Sequence, residues 1–119
     1  MLNLDTHVLL HATKNQLRER ESKLLLENRW SISAIVLWEI AKLAQLGRTD
    51  LDLSNPKLGR MLSNVHVWPL DRDVAIASAN LDFRSDPADE VITATSIVHR
   101  IPLLTRDSKI RQSKLVEFA

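Results

Sequence analysis

The sequence predicts an α/β fold: a three-layer α/β/α sandwich around a central, mostly parallel sheet, formed by a single domain over residues 1–119. Three observations predict it. Apolar runs and amphipathic stretches alternate as strand, helix, strand, helix, strand, helix, strand, the order that winds a parallel sheet with helices on both faces. The run Ile101–Thr105 is continuous and apolar, as in a strand buried on both sides. The opening apolar run and Ile101–Thr105 are closely followed by acids, Asp5 and Asp107, and open α/β sheets bind ligands beyond the carboxyl ends of their strands.

Leu2 and Leu4 open the first strand, within the stretch Met1–Leu10. Asp5 either caps the helix that follows or stands at a site mouth. A short helix is expected over Thr6–Ala12, with His7 and His11 one turn apart on a shared face. No HExxH pattern surrounds the two histidines, so they read as a surface pair or partner contact. Asn15–Asn28 has the spacing of an amphipathic helix whose mixed charges, Glu21 among them, form a solvated face.

Trp30–Ser33 alternates as a short strand, and Ser33 suits the cap of the next helix. That helix, Ala34–Leu46, is apolar nearly all round, which predicts a largely buried element. Gly47 suits its stop. Glu39, Lys42 and Gln45 are its few polar positions; Glu39 either pairs with Lys42 at the surface or projects into a polar cleft. A loop and short helix fill Asp50–Ser63. Val65–Leu70 reads as a third strand ended by Pro69, and Asp71 caps a helix running to about Leu81.

Asp86 before Pro87 is a strong helix start, with the proline at the first helical position. Asp89 and Glu90 follow, and so many acids in one turn repel one another unless a cation relieves them. The helix turns apolar through Val91, Ile92, Ala94, Ile97 and Val98, then Ile101–Thr105 forms the fourth strand. A helical turn is expected after Asp107, and Leu115–Phe118 reads as a short final strand.

Composition narrows the function. The 119 residues carry a net charge of +1, too nearly neutral for a general nucleic-acid coat, so any such contact must be local. With Cys 0 there is no disulfide, thiolate nucleophile or Cys-based zinc site, which suits a cytoplasmic protein. No apolar run approaches a membrane span and no signal core opens the chain. Neither a dinucleotide nor a P-loop glycine pattern occurs.

Asp5, Glu39, Asp89 and Asp107 stand out. If the parallel topology holds, their carboxylates meet at one edge. Carboxylates crowded within a few ångströms either hold protons or bind a divalent cation. An oxygen-only set favours Mg²⁺ or Mn²⁺ over zinc, and such a centre suits phosphoryl chemistry.

Four motifs carry a family resemblance: Leu4–Leu10 (LDTHVLL), Ser33–Ala41 (SAIVLWEIA) followed by Leu46–Arg48 (LGR), Asp86–Thr95 (DPADEVITAT) and Leu103–Asp107 (LLTRD). In this order and spacing the chain resembles the PIN-domain ribonucleases of the VapC toxin type, over essentially its whole length. The resemblance implies a PIN-like fold and an Mg²⁺- or Mn²⁺-dependent endoribonuclease. It also implies an RNA substrate, a VapB-like antitoxin partner and a homodimer. It assigns the catalytic and metal-binding acids to Asp5, Glu39, Asp89 and Asp107. Asp86 matches a further, supporting acid, and Thr6 and Thr105 match hydroxyl positions that support the ligand carboxylates. Glu90 departs from the arginine more usual there, and the chain ends soon after its last strand.

RNA requires positive charge near the acids. Arg100, Arg106, Lys109, Arg111 and Lys114 lie near Asp107 in sequence, and Lys42 one turn from Glu39, as a phosphate-binding rim or as ordinary surface cations. Two other readings compete. A PIN-like module that binds RNA or protein without cutting is disfavoured by the intact acids. A phosphoacceptor receiver-type domain lacks its early acid pair.

Overall fold

The computed structural model describes all residues, Met1–Ala119. The elements in chain order are β1 (Leu2–Leu4), α1 (Thr6–Thr13), α2 (Glu19–Glu27), β2 (Trp30–Ser33), α3 (Ala34–Gln45), α4 (Pro56–Leu62), β3 (His66–Trp68), α5 (Arg72–Ser78), α6 (Pro87–His99) and β4 (Leu103–Leu104). A 3₁₀ turn at Ile110–Gln112 closes the series. The strands form one parallel sheet in the order β3-β2-β1-β4.

The connections from β1 to β2 and from β2 to β3 step one way; the connection from β3 to β4 returns past both. Right-handed crossovers therefore place the two sets of helices on opposite faces of the sheet. Burial of β1 agrees. Leu2 and Leu4 face one side and Asn3 the other, and all three are buried. This is the three-layer parallel fold that the alternation predicts.

Asn3 pins the layers together. Its Nδ2 donates to the Ile92 carbonyl (3.2 Å) and to Ser96 Oγ (2.9 Å) on α6. The main core gathers Leu4, Leu9, Ile32, Val36, Ile40, Ile92, Leu103 and Ile110. At the sheet edge, Trp68 of β3 stacks on His99 of α6, with ring centroids 4.0 Å apart. No helix is long and apolar enough to cross a membrane.

Several elements differ from expectation, each for a local reason. The second helix begins at Glu19 rather than Asn15. Asn15 adopts a left-handed φ of 55°, and the Glu21 carboxylate accepts from the Arg18 N–H (2.7 Å), which fixes the start. The fifth helix stops at Ser78, where Asn80 Nδ2 and the Ala79 N–H both bond the Ile76 carbonyl. β4 shrinks to Leu103–Leu104 because Pro102 has no N–H to give to a ladder. The final strand is absent: Leu115–Phe118 makes only one isolated bridge, Leu103 to Phe118. Asp82 holds the preceding residues instead, accepting from Ser113 Oγ (2.7 Å) and the Lys114 N–H (2.8 Å). α3 is less buried than its composition predicts. Only Val36 and Ile40 are fully inside, and Trp38 stays 55% exposed.

Candidate active site

Asp5 follows β1 directly and is the N-cap of α1, so it is both a cap and a site residue. Its Oδ1 accepts from the Thr6 N–H (2.8 Å), and its Oδ2 accepts from Thr105 Oγ1 (2.6 Å). Only 4% of it is exposed. Burial pushes its pKa up; the bonds from Thr105 and Thr6, and the neighbouring His7, offset part of that rise.

Thr105 closes β4 and links two acids. Its hydroxyl donates to Asp5 and accepts the Asp107 N–H (3.0 Å). The Asp107 carboxylate in turn caps the start of the 3₁₀ turn, accepting from the N–H groups of Lys109 (2.8 Å) and Ile110 (3.1 Å). Thr6 mirrors this role on the other side: its fully buried hydroxyl donates to Glu39 of α3. Glu39 thus projects toward the sheet end rather than pairing with Lys42.

α6 brings the remaining acids in its first turn. Asp89 accepts from Ser85 Oγ (2.7 Å). Burial raises its pKa most, and the negative charges of Asp5, Asp107 and Asp86 add to the rise. Asp86 occupies the N-cap position of the helix that starts at Pro87 but makes no side-chain capping bond, and it lines the cavity. Glu90 turns back to the Ser85 N–H (3.4 Å).

The result is one cavity of about 340 Å³ lined by Asp5, Glu39, Asp86, Asp89 and Asp107, joined by His7, His11 and Arg106, with no hydrophobic residue in its wall. The donor set fits a hard divalent cation: it is rich in carboxylate oxygen and contains no sulfur. The acids line one space, but no three of the chain's carboxylate and imidazole groups close on a single point. That is looser than the few-ångström cluster expected from sequence. The reason lies in their partners: Thr6, Thr105, Ser85 and the turn N–H groups each fix one acid in place, so the carboxylates are held apart. An ion that keeps part of its water shell, as Mg²⁺ does, suits such spacing.

Of the cations expected at a rim, Arg106 alone lines this cavity, and it is committed elsewhere. Its Nη2 and Nε bond Glu21 at 2.6 and 2.8 Å. Arg100 stands at the C-terminal end of α6, about 16 Å along the helix from Asp89 at 1.5 Å per residue, so it is no part of the rim. Lys42 donates to Gln45 (3.2 Å) and lies 5.8 Å from the Trp38 ring centroid, outside the cavity wall. Lys109 and Lys114 are exposed and also outside it. Arg111 donates to the Thr105 carbonyl (3.3 Å) and faces a neighbouring cleft.

Four participants are not apparent from the sequence. Ser85 orients Asp89, and its signal is the i, i+4 spacing on the entry to α6. His7 and His11, expected as a surface pair or partner contact, line the cavity. Glu21, expected on a solvated face, is 5% exposed and paired with Arg106, 85 residues away, which no local pattern reveals.

Comparison with known proteins is consistent with this architecture. A family model described as "PIN domain" matches residues 3–114. No curated protein sequence matches the chain. Among solved structures, VapBC2 from Rickettsia felis bound to a promoter DNA fragment is similar, with a TM-score of 0.74, 19% identity, and coverage of 100% of this chain and 98% of that one. FitAcB from Neisseria gonorrhoeae gives 0.71 at 24% identity, covering 100% and 97%. A toxin–antitoxin complex from Klebsiella pneumoniae gives 0.68 at 23% identity, covering 92% and 88%.

Proposed function

We propose, for a chain that belongs to the PIN domain family, a divalent-metal-dependent endoribonuclease that acts as the toxin of a toxin–antitoxin pair. One observation carries the reading: five carboxylates line a single cavity at the carboxyl ends of β1 and β4, where the Thr105 hydroxyl donates to the Asp5 carboxylate and accepts the backbone N–H of Asp107. Asp5, Glu39, Asp89 and Asp107 would hold Mg²⁺ or Mn²⁺, which when bound supplies a Lewis acid for phosphate oxygen and an activated water. Thr6 and Thr105 keep Glu39 and Asp5 aimed inward, and Ser85 does the same for Asp89. Asp86 lines the same cavity and adds negative charge beside Asp89.

The toxin role draws on the solved relatives, two of which are described as a VapBC assembly and a toxin–antitoxin complex. It includes a single domain acting in the cytoplasm, an antitoxin protein that binds this chain, and a homodimer. The exposed apolar side chains Trp38, Leu46 and Ile76 on and beside α3 and α5 support the dimer. Its test is mass by light scattering.

The deciding experiment compares wild type with Asp5→Asn on structured and unstructured RNA in Mg²⁺, Mn²⁺ or EDTA. Metal-dependent cleavage that the variant loses is the expected result. Equal cleavage by both proteins would trace the activity to a contaminant. Absence of cleavage together with absence of Mn²⁺ binding by calorimetry would overturn the reading in favour of a PIN-fold module that binds without cutting.

A further inference from the structure

Beside the acid cavity lies a second cleft of opposite charge. Arg18, Arg20, Arg106 and Arg111 line it with Glu21 and Thr105, in a volume of about 290 Å³. The two spaces adjoin: Arg106 lines both, and Thr105, which lines this one, bonds Asp5 of the other through its hydroxyl. Four guanidiniums and one carboxylate thus sit next to five carboxylates.

What sets these arginines apart from the chain's other unpaired ones is that they converge on one cleft. Arg106–Glu21 is the one close ion pair in the chain, and it leaves Arg18, Arg20 and Arg111 without a carboxylate partner. Arg20 has Lys23 and Leu24 at its helical i+3 and i+4 positions, so its own helix offers no acid there. Arg18 and Arg20 are exposed, and Arg111 stands 4.9 Å from the Phe118 ring centroid with a single bond to a backbone carbonyl. Holding unpaired guanidiniums together costs repulsion, which an incoming polyanion removes. Planar guanidiniums also bind phosphate in bidentate fashion.

From this juxtaposition we infer that Arg18, Arg20 and Arg111 form a phosphate-binding subsite that seats the RNA backbone on the α2 side of the acid cavity. The inference rests on the nuclease reading for the substrate's identity and adds where the strand lies. Arg106 is excluded from the phosphate contacts: Glu21 satisfies it, and its work is to tie the β4 end to α2. The subsite also answers an electrostatic difficulty. A cavity walled by five acids repels a phosphate strand, and the adjoining arginines bring the strand in from one side.

The test measures binding of a fluorescein-labelled single-stranded oligoribonucleotide by anisotropy across a salt series. All proteins carry Asp5→Asn to prevent cleavage. Adding Arg18→Ala and Arg20→Ala should weaken binding about tenfold at 0.1 M salt and lower the log–log salt slope by about 1.4, at about 0.7 per lost phosphate contact. The pair Arg18→Lys and Arg20→Lys should restore the slope, which a folding defect would not allow. An unchanged slope and affinity in the alanine pair, while wild type still cleaves RNA, would overturn the subsite and leave the nuclease reading standing. Binding lost in the alanine pair, with no cleavage by wild type, would support the subsite and sink the nuclease. Tighter competition by an oligoglutamate peptide than by unlabelled RNA of equal charge would reassign the cleft to a protein partner and overturn the inference.

Discussion

Replacing Glu21 by glutamine isolates the charge that fastens the active-site edge. Glu21 is 5% exposed and receives two bonds from Arg106, at 2.6 and 2.8 Å, and one from the Arg18 N–H, at 2.7 Å. The Arg106 hydrogen bond is the largest influence on its pKa, which falls from 4.5 to about 2 although burial opposes the fall. A depression of that size corresponds to about 3 kcal/mol of folding free energy at neutral pH. Glutamine keeps one neutral acceptor for Arg106 or Arg18, so the expected loss is about 2 kcal/mol, a shift of about 1 M in the urea midpoint. The sign with pH follows from linkage. Below 4.5 the unfolded chain takes up the proton while the folded chain does not, so the contribution is complete above 4.5 and disappears as pH falls through about 2. Urea unfolding at pH 7 and pH 3 therefore gives a wild-type advantage that shrinks by more than half at the lower pH. An equal gap at both values would show that packing, not charge, is responsible and would refute the argument.

Four other outcomes are expected. Asp5→Asn should raise the stability of the metal-free protein at pH 7 by about 0.5–2 kcal/mol in thermal melts, because it removes a buried charge. Because burial raises the pKa of both Asp5 and Asp89, the folded state takes up those protons first, so metal-free wild type should gain stability as pH falls from 7 toward their ordinary 3.8, a gain that Mn²⁺ reverses. Ser85→Ala removes the donor to Asp89 and should weaken Mn²⁺ affinity about tenfold by calorimetry, with Ser85→Thr close to wild type. Arg100 holds a left-handed φ of 54° at the end of α6, so Arg100→Gly should stabilise the fold by about 1 kcal/mol and leave RNA affinity intact, as measured by chemical unfolding and anisotropy.

The acids were legible because their signals are local. Asp5 follows its apolar run at once and Asp107 stands three residues past its own, and Asp86-Pro87 announces a helix whose first turn must carry Asp89. Thr6 follows Asp5 and Thr105 stands two residues before Asp107, and they bond Glu39 and Asp5 across the fold. Distance in sequence hid the rest. Glu21 meets Arg106 across 85 residues, and its neighbours Arg18, Glu19, Arg20 and Lys23 made it look solvated. Arg100 follows closely in sequence on the helix that carries Asp89, yet a helix of 13 residues puts its two ends far apart. α3 misled in the opposite direction. An apolar surface all round predicts burial, but this chain supplies neighbours for only part of it and leaves Trp38 and Leu46 outside.

Charge is sorted in space by neutral groups. Hydroxyls and backbone N–H groups, not cations, hold the acids of the cavity: Thr105 and Thr6 on Asp5, Thr6 on Glu39, Ser85 on Asp89, turn N–H groups on Asp107. Donors of this kind orient a carboxylate without cancelling its charge, so the cavity keeps its pull on a divalent ion. The one cation in its wall, Arg106, is tied through Glu21 and so adds little net charge there. Arg18, Arg20 and Arg111 line the neighbouring cleft instead, the subsite proposed for phosphate. Asn3 carries the same logic into the core. Two residues before Asp5, it is bonded to Ile92 and Ser96, three and seven residues past Asp89, so a neutral amide sets how far β1 and α6 hold their acids apart. A charged strut at that position would have pulled on the acids it is meant to space.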